Sequence, residues 1–146
     1  MSIQDWGAIG EIVGAIAVLL TLLYLAKQIK HNSDIAKITS YHQAIDQIVR
    51  SGMDPDFSIL ATKIEKGESL TPEEQTRSNA LATIFIYGHE ILLHLLNQGQ
   101  VDNRLWENVI SNNMVSLKSD MMLPVLRERT GPISLELLEL VESATQ

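Results

Sequence analysis

Residues 6–30, WGAIGEIVGAIAVLLTLLYLAKQIK, decide the fold of this chain. After the tryptophan, this stretch runs for twenty residues with a single charge, Glu11, and without proline. An α-helix rises about 1.5 Å per residue, so a run of this length covers the roughly 30 Å of hydrocarbon in a bilayer. The rings of Trp6 and Tyr24 suit the two headgroup regions. The stretch therefore predicts a single transmembrane anchor within residues 1–30.

Two other interpretations of this stretch stay open. A cleaved signal peptide needs a positive start and a small-residue cleavage site, whereas Asp5 precedes the run and its lysines follow it. A buried core helix of a soluble protein is the stronger alternative, because Glu11 shortens the uncharged run to residues 12–26. If the helix does span, the positive-inside rule places the C-terminal part in the cytoplasm. The positive charges concerned are Lys27, Lys30 and Lys37.

One face of the predicted anchor carries mostly small residues. Its members recur at alternating spacings of three and four, and they are Gly7, Gly10, Gly14, Ala17, Thr21 and Tyr24. Small side chains allow two helices to approach closely, and Gly10 and Gly14 form a GxxxG pair. This face therefore predicts a helix–helix interface between copies of the chain, which makes the protein a homo-oligomer.

The same register continues beyond the anchor. It passes through Gln28, His31, Ile35, Ile38, His42, Ile45 and Val49, and residues 16–50 contain neither glycine nor proline. We therefore expect one long helix from about residue 6 to about residue 50, with residues 31–52 forming a stalk. A repeat of 3.5 residues favours a supercoil with a partner helix. Packing of the stalk against its own domain is an equally good interpretation, because the two patterns overlap.

The composition of the remaining chain bounds its function. All 146 residues lack cysteine, so disulfides, thiolate metal sites and a cysteine nucleophile are excluded. From Ser33 onward there are nine Lys and Arg against sixteen Asp and Glu, a net charge of −7. An acidic domain repels phosphate backbones, so nucleic acid is not an expected partner. Residues 53–146 are enough for one small domain with its own core.

Start and stop signals divide residues 53–146 into helices. Asp54 and Thr71 each precede a proline, and each is expected to cap a helix that a glycine ends, Gly67 and Gly99 respectively. The third helix also has the capping-box pattern, with Glu74 three residues after Thr71.

Three further helical elements are expected after Gly99. Asp102 is predicted to cap the fourth helix, and a short element follows over residues 121–129. Ser134 is predicted to cap the last helix, with Leu135, Leu138 and Val141 facing inward. No segment alternates with period two, so the fold class is all-α, a small helical bundle at residues 53–146.

Residues 80–96 form the second long apolar run. Seventeen residues barely span a bilayer, and this run contains two histidines and Glu90. We expect it to be the central buried helix of the bundle, with a second membrane pass as the weaker alternative. Gly88, in the middle of this helix, is predicted to mark a close crossing with another helix.

The string HEILLH at residues 89–94 resembles the zinc-protease motif with one residue too many. Its histidines lie at i and i+5, about 140° apart on a helix, so they cannot share a metal ion. Glu90 and His94 lie at i and i+4, which predicts a satisfied pair in the core. We therefore predict no metal site, no cofactor and no catalytic residue, since nucleotide-binding and hydrolase motifs are also missing from the sequence.

Four segments resemble those of a widespread group of short bacterial single-pass membrane proteins. They are W-x-A-I-G-E-I-V-G-A at residues 6–15, Y-L-A-K-Q-I-x-x-N at 24–32, L-P-V-L-R-E-R at 123–129, and Gly99 followed by L-W-E at 105–107. The resemblance covers most of the chain. It implies a bacterial inner-membrane protein, and it brings no activity with it.

Taken together, these patterns predict a non-enzymatic, membrane-anchored protein that self-associates. Its acidic helical domain would be presented in the cytoplasm as a scaffold or to a protein partner. Membrane lipid and a second copy of the chain are the other expected partners. The alternative function is a homo-oligomeric pore whose axis is lined by Glu11, Gln28 and His31.

Overall fold

The computed structural model describes residues 3–144, which form six α-helices and no strand. In chain order the helices are α1 (Ile3–Gly52), α2 (Pro55–Glu65), α3 (Pro72–Asn97), α4 (Asn103–Leu117), α5 (Leu123–Arg127) and α6 (Pro132–Ser143). The all-α fold class is therefore confirmed. The long first helix is confirmed as well, and it is not interrupted between its anchor and stalk segments.

Side-chain caps explain where α2, α3 and α4 begin. The carboxylate of Asp54 accepts a hydrogen bond of 3.0 Å from the backbone N–H of Asp56. Asp102 accepts one of 2.8 Å from the N–H of Arg104. Thr71 and Glu74 make both bonds of a capping box, because each side chain accepts from the other residue's backbone N–H. All three predicted caps are confirmed, and each satisfies an amide that would otherwise have no partner in the helix.

Two glycines end α2 and α3 as predicted. Gly67 has a φ of +68° and Gly99 a φ of +65°, the left-handed conformation in which residues with a Cβ are strained. Each glycine follows the last helical turn and reverses the chain direction there.

The last two helices differ from the prediction. α5 has only five residues, so it is shorter than the expected element at residues 121–129. α6 begins at Pro132 with Gly131 as its N-cap, and Ser134 is a buried residue of its first turn. The start is therefore set by a proline, whose fixed φ suits the first helical position, and not by the serine. Of the three residues predicted to face inward, Val141 is buried, Leu138 is half-buried and Leu135 is exposed. Leu137 is buried as well.

Contacts within the chain divide it into two units, with the boundary between Ile38 and Thr39. In the first unit, every residue from 6 to 36 is exposed. The second unit contains the end of α1 and all of α2 to α6. Two helices are long and apolar enough to cross a membrane. The apolar window of α1 is 0 % buried, whereas that of α3 is 56 % buried within its own unit.

α3 is the central helix of the second unit, as predicted. Eleven of its residues are buried, among them Leu81, Phe85, Ile86 and Leu92. The other helices of this unit pack buried apolar side chains into the same core, namely Ile48, Leu60, Trp106, Ile110, Leu117, Leu126, Leu137 and Val141. Burial of each such side chain contributes about 1.5–3 kcal/mol, so this core accounts for the stability of the unit.

The close crossing predicted at Gly88 is confirmed. A Cβ on this glycine would lie 2.6 Å from Cγ1 of Ile48 and 3.0 Å from the carbonyl oxygen of Ala44. A Cβ atom essentially never lies within 3.0 Å of another side chain or backbone group, so glycine allows α1 and α3 to approach as closely as they do here.

The end of α1 packs on the bundle through a face that the sequence pattern did not single out. Ala44, Ile48 and Ser51 are buried, whereas His42 and Val49 of the predicted stripe are exposed. The two faces lie roughly 120° apart around the helix. This segment therefore does pack against its own domain, and most of the predicted stripe stays on its surface.

Candidate functional site

The predicted interface face of the first unit lies entirely on the surface. Gly7, Gly10 and Gly14 have no atom within 4 Å of the position that a Cβ would take. This contrasts with Gly88, where contacts within the chain leave no room for a side chain. No contact among the described residues therefore requires glycine at positions 7, 10 and 14.

The hydroxyl group of Thr21, on that face, is satisfied locally. The Thr21 hydroxyl donates a hydrogen bond of 2.8 Å to the carbonyl oxygen of Ala17, one turn earlier in the same helix. A threonine bonded in this way leaves no unpaired donor, so it can face lipid or a second helix.

The three residues proposed for a pore are exposed, but they do not share one face of a straight helix. Glu11 and His31 are twenty residues apart, which corresponds to about 30 Å along the axis and roughly 160° around it. Gln28 and His31 lie close together, and with Tyr24 and Lys27 they line a shallow concavity of about 300 Å³. A straight helix therefore cannot present all three residues to one pore axis.

A buried carboxylate is the main polar feature of the second unit. Glu90 of α3 has a side chain that is 8 % exposed, and both of its oxygens accept hydrogen bonds from Arg129. The Nε–Oε1 distance is 2.7 Å. The Ser134 hydroxyl also donates to Oε1. Since Arg129 follows α5 and Ser134 belongs to α6, this cluster joins the central helix to the C-terminal helices.

The predicted pair of Glu90 and His94 is therefore wrong. His94 is exposed, and its Nε2 atom lies 2.8 Å from the side-chain nitrogen of Gln98. The carboxylate turns to Arg129 because a guanidinium offers two parallel N–H donors, which an imidazole one turn away cannot match. The predicted pair was based on residues one helical turn apart, whereas Arg129 lies 39 residues after Glu90 in the chain.

His89 directly precedes Glu90 in the sequence and is also buried, but its side chain has different neighbours. Its Nδ1 atom lies 2.9 Å from the carbonyl oxygen of Phe85 and donates to it, so the bare nitrogen is Nε2. Nε2 is buried and has no partner among the described residues. Burial lowers the pKa of His89 to about 4, and the bond to Phe85 offsets only part of that effect. The imidazole is therefore neutral at physiological pH.

Surface ion pairs join α2 to α3. Arg77 contacts Asp54 at 2.6 Å and Asp56 at 3.1 Å, and these carboxylates raise the pKa of its guanidinium. A second pair joins Lys63 to Glu74, and it lowers the pKa of that carboxyl group. The groove between these helices has a volume of about 650 Å³. Of the charged side chains that line the groove, Glu73 is the one without an ion pair among the described residues.

The Glu90 carboxylate already accepts hydrogen bonds from Arg129 and Ser134, and His89 is fully buried in the core. Both side chains therefore take part in the packing of the second unit. Comparison with protein-family models, with curated proteins and with solved structures finds no match to this chain.

Proposed function

We propose that this chain is a non-enzymatic protein of the bacterial inner membrane, anchored by a single pass through the first part of α1. Copies of the chain associate through the small-residue face of that helix. The acidic second unit faces the cytoplasm, where it serves as a scaffold or binds a protein partner. From Thr39 onward the chain has eight Lys and Arg against fifteen Asp and Glu, so a partner surface with positive charge is favoured.

One observation carries the anchor: large apolar side chains surround the first part of α1, and none of the described residues covers them. Ile12, Leu20 and Leu23 are 61 %, 62 % and 68 % exposed. Each would gain about 1.5–3 kcal/mol on leaving water, and a bilayer offers that environment to every side of a helix at once. The core helix α3 shows the contrast, because its own unit already covers over half of its apolar window.

A second observation favours self-association. Glycine costs roughly 1 kcal/mol relative to alanine in a helix, and no contact with the described residues requires it at positions 7, 10 and 14. Close approach of a second helix would require it, and that approach is the main source of helix–helix affinity in lipid.

Reporter fusions test the anchor and its orientation. Green fluorescent protein placed after the last residue, Gln146, should fluoresce at the membrane, and alkaline phosphatase at the same place should be inactive. Active phosphatase would show that the C-terminal part lies on the opposite side of the membrane. A fully soluble fusion protein would rule out the span.

Cysteine cross-linking tests the interface, since the chain has no cysteine of its own. Ala17 lies on the small-residue face, and Ala15 lies about 160° away at nearly the same depth. Ala17→Cys should form disulfide-linked dimers on oxidation of native membranes, and Ala15→Cys is the matched control. Equal cross-linking of the two variants would show that this face is not the interface.

A further inference from the structure

Positive charge in the first unit is confined to the segment just beyond the proposed span. Lys27, Lys30 and Lys37 are its Lys and Arg side chains. Lys37 contacts Asp34, with 3.9 Å between nitrogen and oxygen. Lys27 and Lys30 are exposed and make no ion pair or side-chain hydrogen bond with the described residues. Two ammonium groups one turn apart therefore lack a counter-charge among the residues that the structure describes.

The side chains around Lys27 are all able to donate hydrogen bonds. Tyr24, Gln28 and His31 line one concavity with it, and the four residues occupy an arc of about 100° around the helix. A phenol, an ammonium, an amide and an imidazole on one surface suit a ligand with several acceptor oxygens. The carboxylate nearest in sequence, Asp34, already contacts Lys37.

We propose that Tyr24, Lys27, Gln28 and His31, with Lys30 beside them, bind the phosphate group of an anionic phospholipid. This inference rests on the proposed membrane span. The ring of Tyr24 then lies at the edge of the hydrocarbon, and Lys27 lies about 4.5 Å further along the helix, at headgroup level. The second unit carries a net charge of −7 and is repelled by an anionic surface, so it cannot supply this contact.

Native mass spectrometry of the full chain, released from nanodiscs of mixed phosphatidylcholine and phosphatidylglycerol, tests the site. We expect the wild-type chain to retain phosphatidylglycerol in preference to phosphatidylcholine. Lys27→Gln should lower the apparent affinity for phosphatidylglycerol about fivefold, the factor that one lysine supplies near a membrane surface. Lys27→Arg should restore it, because the charge and the hydrogen-bond donors return.

Lys37→Gln is the matched control. It removes the same charge about 15 Å further along the helix, beyond the Debye length of about 8 Å, from a lysine that already contacts Asp34. An equal loss in Lys37→Gln and Lys27→Gln would overturn the site, because a diffuse field would then explain the preference. Displacement of the lipid by an equal concentration of inorganic phosphate would also overturn it, in favour of a free anion.

Failure of the anchor itself gives a different result. A chain that does not float with vesicles of pure phosphatidylcholine contradicts the membrane span. A chain that floats with them, yet shows no preference for phosphatidylglycerol, contradicts only the headgroup site.

Discussion

Arg129 supplies the positive charge that makes the burial of Glu90 tolerable. Without it, a carboxylate that is 8 % exposed would retain one donor, the Ser134 hydroxyl. Arg129→Ala should therefore lower the free energy of unfolding by about 3–5 kcal/mol, as expected when one partner of a buried ion pair is removed. Urea unfolding of the full chain in detergent, followed by the fluorescence of the buried Trp106, measures the change.

Arg127→Ala is the control for that measurement. Arg127 lies two residues earlier and bonds the exposed Glu142, with 2.9 Å between nitrogen and oxygen. An exposed pair is worth about 0–1 kcal/mol, so this variant should remain near wild-type stability. If the two variants lose the same free energy of unfolding, Glu90 and Arg129 do not form a buried ion pair.

His89 should make the second unit sensitive to acid. Its folded pKa of about 4 lies below the ordinary value of 6.5, so the unfolded chain binds the extra proton between these pH values. The contribution of His89 to the free energy of unfolding is fully present above about pH 6.5 and is lost as the pH falls toward 4. Between pH 7 and pH 5 the free energy of unfolding should fall by about 2 kcal/mol on account of this residue.

The histidine's contribution is isolated by substitution. His89→Leu removes the titrating group and should flatten the stability profile between pH 7 and pH 5, whatever its effect at neutral pH. His94→Gln changes an exposed histidine of the same helix and should leave the profile unchanged. A wild-type slope that survives in His89→Leu would assign the acid sensitivity to other groups.

Which polar residues meet in the core could not be predicted from the sequence. Glu90 and His94 have the spacing of a helical pair, and the local pattern offered no reason to look further. The true partners are 39 and 44 residues away, and they are brought there by the packing of α5 and α6. Burial of Glu90 was foreseeable from the apolar run around it, but the identity of its counter-charge was not.

Helix boundaries were predictable wherever the signal was local. Asp54, Thr71 and Asp102 bond amides two or three residues ahead, so four letters of sequence contain the whole interaction. α6 shows the limit. Ser134 was predicted to cap this helix, whereas the helix begins at Pro132 and the serine hydroxyl bonds Glu90.

Because α1 and α3 cross closely at Gly88, adding one methyl group there should destabilise the second unit. Gly88→Ala would place a Cβ 2.6 Å from Cγ1 of Ile48, so the helices must separate, and we expect a loss of about 1–3 kcal/mol in unfolding free energy. Gly52→Ala is the control, since its Cβ would meet only Cε2 of Phe85 at 3.9 Å.

A double-mutant cycle identifies the contact responsible. Ile48→Ala removes the atom that clashes, so the loss in the combined variant should be smaller than the sum of the two single losses. Additive losses would mean that the Cβ is opposed by the backbone of α1, such as the carbonyl oxygen of Ala44 at 3.0 Å, and not by the Ile48 side chain. Helix propensity cannot explain a loss, because alanine is favoured over glycine in a helix by roughly 1 kcal/mol.

At the scale of the whole molecule, the two units have opposite requirements for their surroundings. The second buries its apolar residues in a core of its own, and the first leaves every residue from 6 to 36 exposed. The long apolar run predicted a first segment that is not packed in a core. Helical periodicity and the helix start and stop signals predicted the helices of the second unit. Which face of α1 enters that core was not predictable, because the steric reason lies in Gly88, on another helix.

Assembly of the full chain should depend on the small-residue face and not on Glu11. Gly14→Leu is expected to shift the complex toward monomer in native mass spectrometry, because a leucine holds two backbones apart. Glu11→Gln should leave the mass unchanged, since Glu11 flanks that face. A ring of four or more copies whose cation conductance disappears in Glu11→Gln would instead favour the pore.

The order in which the ribosome makes this chain gives the Glu90 cluster a further consequence. Arg129 is synthesised 39 residues after Glu90, a delay of about 2–8 s at ordinary elongation rates. Throughout that interval α3 exists without the residues that neutralise its carboxylate and cover its apolar side. Chains released early, by a nonsense codon or a stalled ribosome, would keep that side open and be preferred substrates for proteases. The contacts that Glu90 makes would thus distinguish a finished chain from a truncated one.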